Sequence, residues 1–228
     1  EFVPDAVNVQ AGGVVAEEVR PLLPLAEKLG KVFTAVAGGV AASVTVEVHG
    51  DVVAHDVSVL RLAATKGLFA DVVDEQVSYV NAPLLAADRG VEVDLSTYQE
   101  SPDHHSLVAI RGALADGSTV SVAGTLWSNG LRETMKLTEI NGFDLELDAG
   151  GMVLLFRYTD RPGVVGRIGT TLGRIGVNIA SMQVSRRAAG GEALMAITVD
   201  SPVPADLLHE AAREIGAAAA SAVDLRDE

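Results

Sequence analysis

In the stretch Arg157-Tyr158-Thr159-Asp160-Arg161-Pro162-Gly163-Val164-Val165-Gly166, a carboxylate stands at a proline–glycine turn that opens onto a helical pattern. Pro162 fixes φ at that turn, and Gly163 and Gly166 remove side chains where a backbone can approach a ligand. The free N–H groups of a helix start receive an anion, and Asp160 beside them receives a cation. A place for a carboxylate next to a place for an ammonium makes a pocket for a zwitterion. Gly176-Val177-Asn178-Ile179 follows closely.

Nothing else in the chain has the spacing of a reactive centre. His104 and His105 are adjacent, which in a strand sends the rings to opposite faces, and His49, His55 and His209 show no ligand spacing, so no metal site is expected. There is no G-x-S-x-G motif and no cysteine, which removes thiol nucleophiles, disulfides and thiolate-bound iron–sulfur clusters. The glycines from Gly163 to Gly176 fall three or four apart, at helical spacing, and no G-x-G-x-x-G follows a strand. Trp127, in an alternating segment, reads as core.

The bulk composition narrows the partners. With 31 acidic against 17 basic residues the net charge is −14, which argues against nucleic acid and anionic membrane surfaces. Aromatics at 4% leave few stacking platforms. Hydrophobic content of 48% fits a soluble, folded chain, and no apolar run nears the roughly 18 residues of a membrane span. Glu1-Phe2-Val3-Pro4 shows no basic and apolar leader pattern, so a cytoplasmic location and a segment of a longer protein are the expectations.

The elements that must position Asp160 follow from hydrophobic period. Residues 1–13 look extended over Phe2–Val9, break at Gly12-Gly13, and read as the tail of an upstream domain. A helix is expected from Glu17, with Val19, Leu22, Leu23, Ala26 and Leu29 on one side, Pro21 and Pro24 in its first turns and Gly30 as its stop. Ser43–His49 alternates as a strand; Asp56 caps a helix bearing Val57, Leu60, Ala64 and Leu68; a second helical stretch runs Val72–Arg89, interrupted near Pro83 and ended by Gly90. Val91–Tyr98, Leu107–Leu114 and Thr119–Trp127 are strands, the last two joined by Asp116-Gly117, and Lys136–Ile140 and Phe143–Leu147 flank the turn Asn141-Gly142. This first domain, 14–148, is α+β, helices first and then an antiparallel meander. After the linker Asp148–Gly151, residues 151–228 give strand Met152–Tyr158, helix Gly163–Ile175, strands Val177–Arg186 and Glu192–Asp200, helix Pro204–Ile215 and strand Ala220–Leu225. That order is the ferredoxin-like βαββαβ.

With Asp160-Arg161-Pro162-Gly163 at its first strand–helix turn and Gly176-Val177-Asn178-Ile179 before its second strand, the βαββαβ segment resembles the ACT domain, a small amino-acid-binding regulatory module. The preceding block resembles the allosteric substrate-binding domain of long D-3-phosphoglycerate dehydrogenases. Matching stretches are Leu60-Arg61-Leu62, Gly67-Leu68-Phe69, Tyr79-Val80-Asn81-Ala82-Pro83, Glu100-Ser101-Pro102, Gly124-Thr125-Leu126 and Ile140-Asn141-Gly142-Phe143. Phe2–Asn8 is similar to the segment that leaves the catalytic part of those enzymes. The resemblance implies the regulatory portion of an NAD-dependent enzyme of serine biosynthesis, joined in one chain to upstream catalytic domains. The portion in hand would hold neither NAD nor catalytic residues.

The resemblance also implies a serine site between ACT domains of two subunits. Tyr158 and Asp160 would come from one subunit and Asn178 from the other, with the backbone amides of Val164 and Val165 meeting the effector's carboxylate. L-serine or another small amino acid is the implied ligand, and self-association through ACT domains the implied assembly. Read singly, Asp160 is a turn residue, Asn178 tolerates the left-handed conformation after Gly176, and Tyr158 packs in a strand. In the first domain, relatives hold a phosphorylated anion with basic side chains. Lys136 matches one of them, and Arg132 lies four residues back, on the same face if the segment is helical. Beyond Asn141-Gly142 this chain instead carries Asp144, Glu146 and Asp148, which repel a phosphate. A different resemblance, to the small chain of iron–sulfur L-serine dehydratases, implies the alternative function: an enzyme subunit.

Overall fold

The computed structural model describes residues 15–227 except 102 and 131, so the extended tail read over residues 1–13 lies outside the described residues. The chain divides into two compact units between Asn141 and Gly142.

The first unit runs α1 (Leu22–Ala37), β1 (Ser43–Gly50), a short 3₁₀ turn, α2 (Ser58–Ala70), α3 (Ala82–Asp88), β2 (Glu92–Tyr98), β3 (Ser106–Ala113), β4 (Thr119–Ser128) and β5 (Glu133–Ile140). Within it the strands lie in the order β2-β1-β3-β4-β5. β1 alternates as its sequence does, burying Val44, Val46 and Val48; Ile110, Val122 and Leu137 of the neighbouring strands are fully buried too, as are Leu25, Leu29 and Phe33 of α1 and Leu60, Leu68 and Phe69 of α2. This burial removes the large apolar side chains from water and is the main stabilising term of the unit.

Three expectations for this unit need correction. α1 passes through Gly30 and stops at Gly38, whose φ of 71° makes it the left-handed cap. Gly30 instead lies where α1 crosses α2: a Cβ there would sit 2.4 Å from the Ala64 carbonyl oxygen. The glycine is a contact residue, which the linear pattern cannot distinguish from a stop. Residues 72–81 form turns and irregular backbone rather than helix, and Pro83 lies in the first turn of α3, where a missing N–H does least harm. Finally, β2 pairs in parallel with β1, so the sheet is mixed and the meander comprises β3, β4 and β5 only. The helices between β1 and β2 are the crossover that a parallel neighbour requires.

The second unit contains β6 (Phe143–Asp148), β7 (Met152–Thr159), α4 (Val164–Arg174), β8 (Ile179–Arg186), β9 (Glu192–Val199), α5 (Ala205–Ile215) and β10 (Ala219–Asp224). From β7 onward this is the expected βαββαβ frame, with an antiparallel sheet ordered β10-β7-β9-β8. Leu154, Phe156, Met195 and Ile197 face Ile168 and Leu172 of α4 and Leu208, Ala211 and Ile215 of α5. Gln183 points to the opposite face, where its side-chain amide accepts from Glu146 N at 2.8 Å and donates to Glu146 O at 3.0 Å, fastening β6 there. β8 stands at the edge of the four-stranded sheet.

Candidate functional site

Asp160 follows the last residue of β7, and its backbone N–H is held by the Gly191 carbonyl at 2.8 Å. Gly163, with φ 86°, then turns the chain so that α4 starts at Val164. No side chain caps that helix start. The amides of Val164 and Val165 occupy its first two positions, where helix geometry supplies no acceptor, and the helix dipole adds partial positive charge. The Val164 side chain is buried while that of Val165 is half exposed, so the turn opens to solvent on the Val165 side. Added side chains at Gly163 or Gly166 would meet nothing within 4 Å, which leaves the backbone approachable. Asp160 and the two helix-start amides thus lie at the two ends of one short turn.

Tyr158 is buried against Val164 and Ile168 in the core, in keeping with packing. Its phenol is raised above its ordinary value of 10.0, first by burial and then by the charge of Asp160, while Arg186 lowers it. The hydroxyl end thus lies within the field of both charges.

Asn178 is elsewhere in the same unit. The ladder sets Tyr158, Ala193 and Arg186 at one level, and Met152, Val199 and Ile179 at the other. Asn178 precedes Ile179, so the length of β8, roughly 25 Å at a strand's rise, separates it from Asp160. Its Nδ2 donates to Asp200 Oδ2 at 2.6 Å. Asn141, with φ 50°, is the one non-glycine residue of positive φ among the described residues, so a left-handed Asn178 is corrected: Gly176, at φ 74°, makes that turn alone.

Two partners of the expected site residues escaped the sequence reading. Arg186 Nη1 lies 2.9 Å from Asp160 Oδ2, and Asp200 holds Asn178. The first could have been found by pairing Val177–Arg186 with Glu192–Asp200 across their turn, which sets Arg186 level with the end of β7. Neighbouring Arg157 and Arg187 are both directed at Glu192, at 3.1 and 4.0 Å.

In the first unit, Lys136 lies on β5 with its ammonium 5.8 Å from the centre of the Trp127 ring. Trp127 is 48% exposed, which corrects its reading as core. Arg132 precedes β5, its backbone amide bonded to Asn129 Oδ1 at 2.9 Å, so the helical condition for a shared face is not met. Beside Trp127 opens a cleft of about 810 Å³ whose charged lining includes Glu18, Asp103 and Glu133. His104 and His105 also border it, in a loop rather than a strand. Among the described residues no group of three potential metal ligands occurs, and no helix is long and apolar enough to cross a membrane.

Comparison with known proteins agrees with both units. The family model of the D-3-phosphoglycerate dehydrogenase intervening domain matches residues 18–141, and that of the ACT domain matches residues 152–215. The chain belongs to the D-3-phosphoglycerate dehydrogenase family. A D-3-phosphoglycerate dehydrogenase of Mycobacterium leprae (strain TN) is 47% identical over 207 residues, covering 91% of this chain and 39% of that protein. One of Mycobacterium tuberculosis (strain ATCC 25618 / H37Rv) is 45% identical over 225 residues, 99% of this chain and 42% of that protein. One of Synechocystis sp. (strain ATCC 27184 / PCC 6803 / Kazusa) is 36% identical over 203 residues, 89% and 36% respectively. The chain thus spans about two-fifths of the length of the first two relatives. As a D-3-phosphoglycerate dehydrogenase regulatory region with an ACT domain, it leaves the alternative of an L-serine dehydratase small chain without support.

Proposed function

We propose that this chain senses L-serine, or a similarly small amino acid such as glycine, for a D-3-phosphoglycerate dehydrogenase, and that it self-associates to do so. The controlled reaction is the NAD-dependent oxidation of 3-phosphoglycerate to 3-phosphohydroxypyruvate in the cytoplasm, carried out by catalytic domains outside these residues. The amides of Val164 and Val165 receive the effector's carboxylate, Asp160 its ammonium, and the Tyr158 hydroxyl backs Asp160. Asn178 of a second copy completes the pocket.

The observation that carries this reading is the separation of Asp160 and Asn178 to opposite ends of one sheet, with β8 at its edge. Two β8 strands meeting antiparallel about a twofold axis would set the Asn178 end of one beside the Arg186 end of the other. Such pairing also satisfies the main-chain groups of an exposed edge. An effector in that joint would favour one arrangement of subunits and so bias the attached domains.

The test is calorimetric titration of L-serine into the chain, with Asp160→Ala as control, alongside sedimentation. Saturable heat in the wild type and at least about tenfold weaker binding in the variant are expected, since a charged hydrogen bond is removed. The chain should sediment as a dimer or larger. Absence of heat, equal binding by Asp160→Ala, or a strict monomer at high concentration would sink the proposal.

A further inference from the structure

We propose that Arg186 sets the affinity of the Asp160 site by acting as an internal competitor for the ligand's ammonium. The inference rests on the amino-acid-binding reading above and concerns a residue outside the set Tyr158, Asp160, Val164, Val165 and Asn178.

The Arg186 guanidinium reaches from the end of the edge strand β8, past β9, to the Asp160 carboxylate at the end of β7. The Asp160 side chain is 20% exposed and Arg186 58% exposed. The acceptor is therefore fixed in the turn while the cation approaches from the solvent side, the side open to an ammonium. Of the other nearby cations, Arg157 and Arg187 are directed at Glu192, and Arg161, next to Asp160 in the chain, donates to the Ile215 carbonyl at 2.7 Å. Arg186 is thus the cation bound to Asp160, and the phenol of Tyr158 feels both charges of the pair.

Binding of a zwitterion is then an exchange: the ligand's ammonium takes Asp160 Oδ2 and the guanidinium leaves for water. One charge-assisted contact replaces another, so the gain from Asp160 is only the difference between them. An exposed pair of this kind is weak, which makes the competitor displaceable and its effect modest. A ligand that presents a carboxylate without an ammonium experiences the opposite effect. Arg186 neutralises Asp160 for such a ligand, and removing the guanidinium leaves a bare negative charge next to the anion.

The experiment compares wild type, Arg186→Met and Arg186→Lys as the 228-residue chain, titrated with L-serine and separately with glycerate. Glycerate has serine's shape with a hydroxyl in place of the ammonium. Arg186→Met should bind serine about two- to fivefold tighter than wild type and glycerate no better or worse, while Arg186→Lys stays close to wild type. Circular dichroism establishes that each variant is folded. Equal or weaker serine binding by folded Arg186→Met, with wild type binding normally, would overturn the competitor role and leave the serine site standing. Loss of serine binding by wild type and variants alike would overturn the serine reading and this inference with it.

Discussion

Replacing Gly67 by Ala tests whether the first unit depends on close approach of its two long helices. A Cβ on Gly67 would lie 1.9 Å from the Glu27 carbonyl oxygen, and one on Gly30 would lie 2.9 Å from the Gly67 carbonyl carbon. Ordinary contact begins at 3.4 Å, so at Gly67 the helices must part by about 1.5 Å, against backbone that no rotamer change can move. Overpacking costs about 1–3 kcal/mol where neighbours can give, and more here, while Ala returns about 1 kcal/mol of helix propensity. The net loss is about 2–3 kcal/mol, or a melting temperature lower by about 8–12 °C. Trp127, the single tryptophan, lies in β4 of the same unit and reports its unfolding by fluorescence. Gly30→Ala should cost a similar amount, and the double variant should cost less than the two together by at least about 1 kcal/mol, because the gap has already been opened. Gly169→Ala in α4, where a new methyl meets nothing within 4 Å, should instead stabilise its unit by about 0.5–1 kcal/mol. A neutral Gly67→Ala, or strictly additive Gly30 and Gly67 costs, would refute the reasoning.

Burial, reinforced by Glu27, pushes the Tyr79 phenol up to about 12, so its folded state binds its proton more tightly than the unfolded chain. Its contribution to stability is complete below pH 10 and is lost as pH rises toward 12; Tyr79→Phe should remove that alkaline decline from the Trp127-monitored unfolding curve. The Glu214 carboxylate is held below its usual range by hydrogen bonds from Thr171 and then Arg174, so Thr171→Val should raise its titration midpoint, followed by carboxylate NMR. Folded-state stability from this group is present above the unfolded value and is lost as pH falls through the folded one, and the variant should shrink that acid-side loss. Inorganic phosphate should bind the first unit no tighter than the millimolar range at low salt, with Glu133→Gln improving it; tight binding abolished by Lys136→Ala would contradict the repulsion expected from the acidic cleft.

The βαββαβ frame was legible because each of its elements carries a clean period and each turn a glycine or proline of fixed meaning. The Asp160 turn was legible for the same reason: Pro162, Gly163 and the start of α4 are local features. What escaped was set by tertiary contact. Gly30 reads as a helix stop and serves as a helix crossing, since the sequence does not say that Gly67 will lie against it. The pattern over Val72–Arg89 is apolar enough for a helix, yet Ser78 and Asn81 bond to each other's backbone and side chains and form a turn instead. Parallel pairing of β2 with β1 depends on the crossover packing, which no strand signal encodes. Arg186 and Asp200, the partners of Asp160 and Asn178, sit in unremarkable surroundings, and only the sheet register brings them into place.

Those two partners bear on how ligand and assembly are linked. In the single chain both halves of the proposed pocket are already satisfied, Asp160 by Arg186 and Asn178 by Asp200. Neither half gains by meeting the other unless something replaces what it gives up. A zwitterion does this at Asp160, and the Asn178 amide retains an acceptor oxygen with which to meet it while Nδ2 stays on Asp200. If the pocket is shared, the factor by which ligand tightens association equals the factor by which association tightens ligand. Weakening the Arg186–Asp160 pair strengthens both together, so Arg186→Met should lower the concentration of chain needed for self-association in the presence of serine and leave it unchanged in its absence. A shift without serine would mean that Arg186 acts on the interface itself rather than through the ligand.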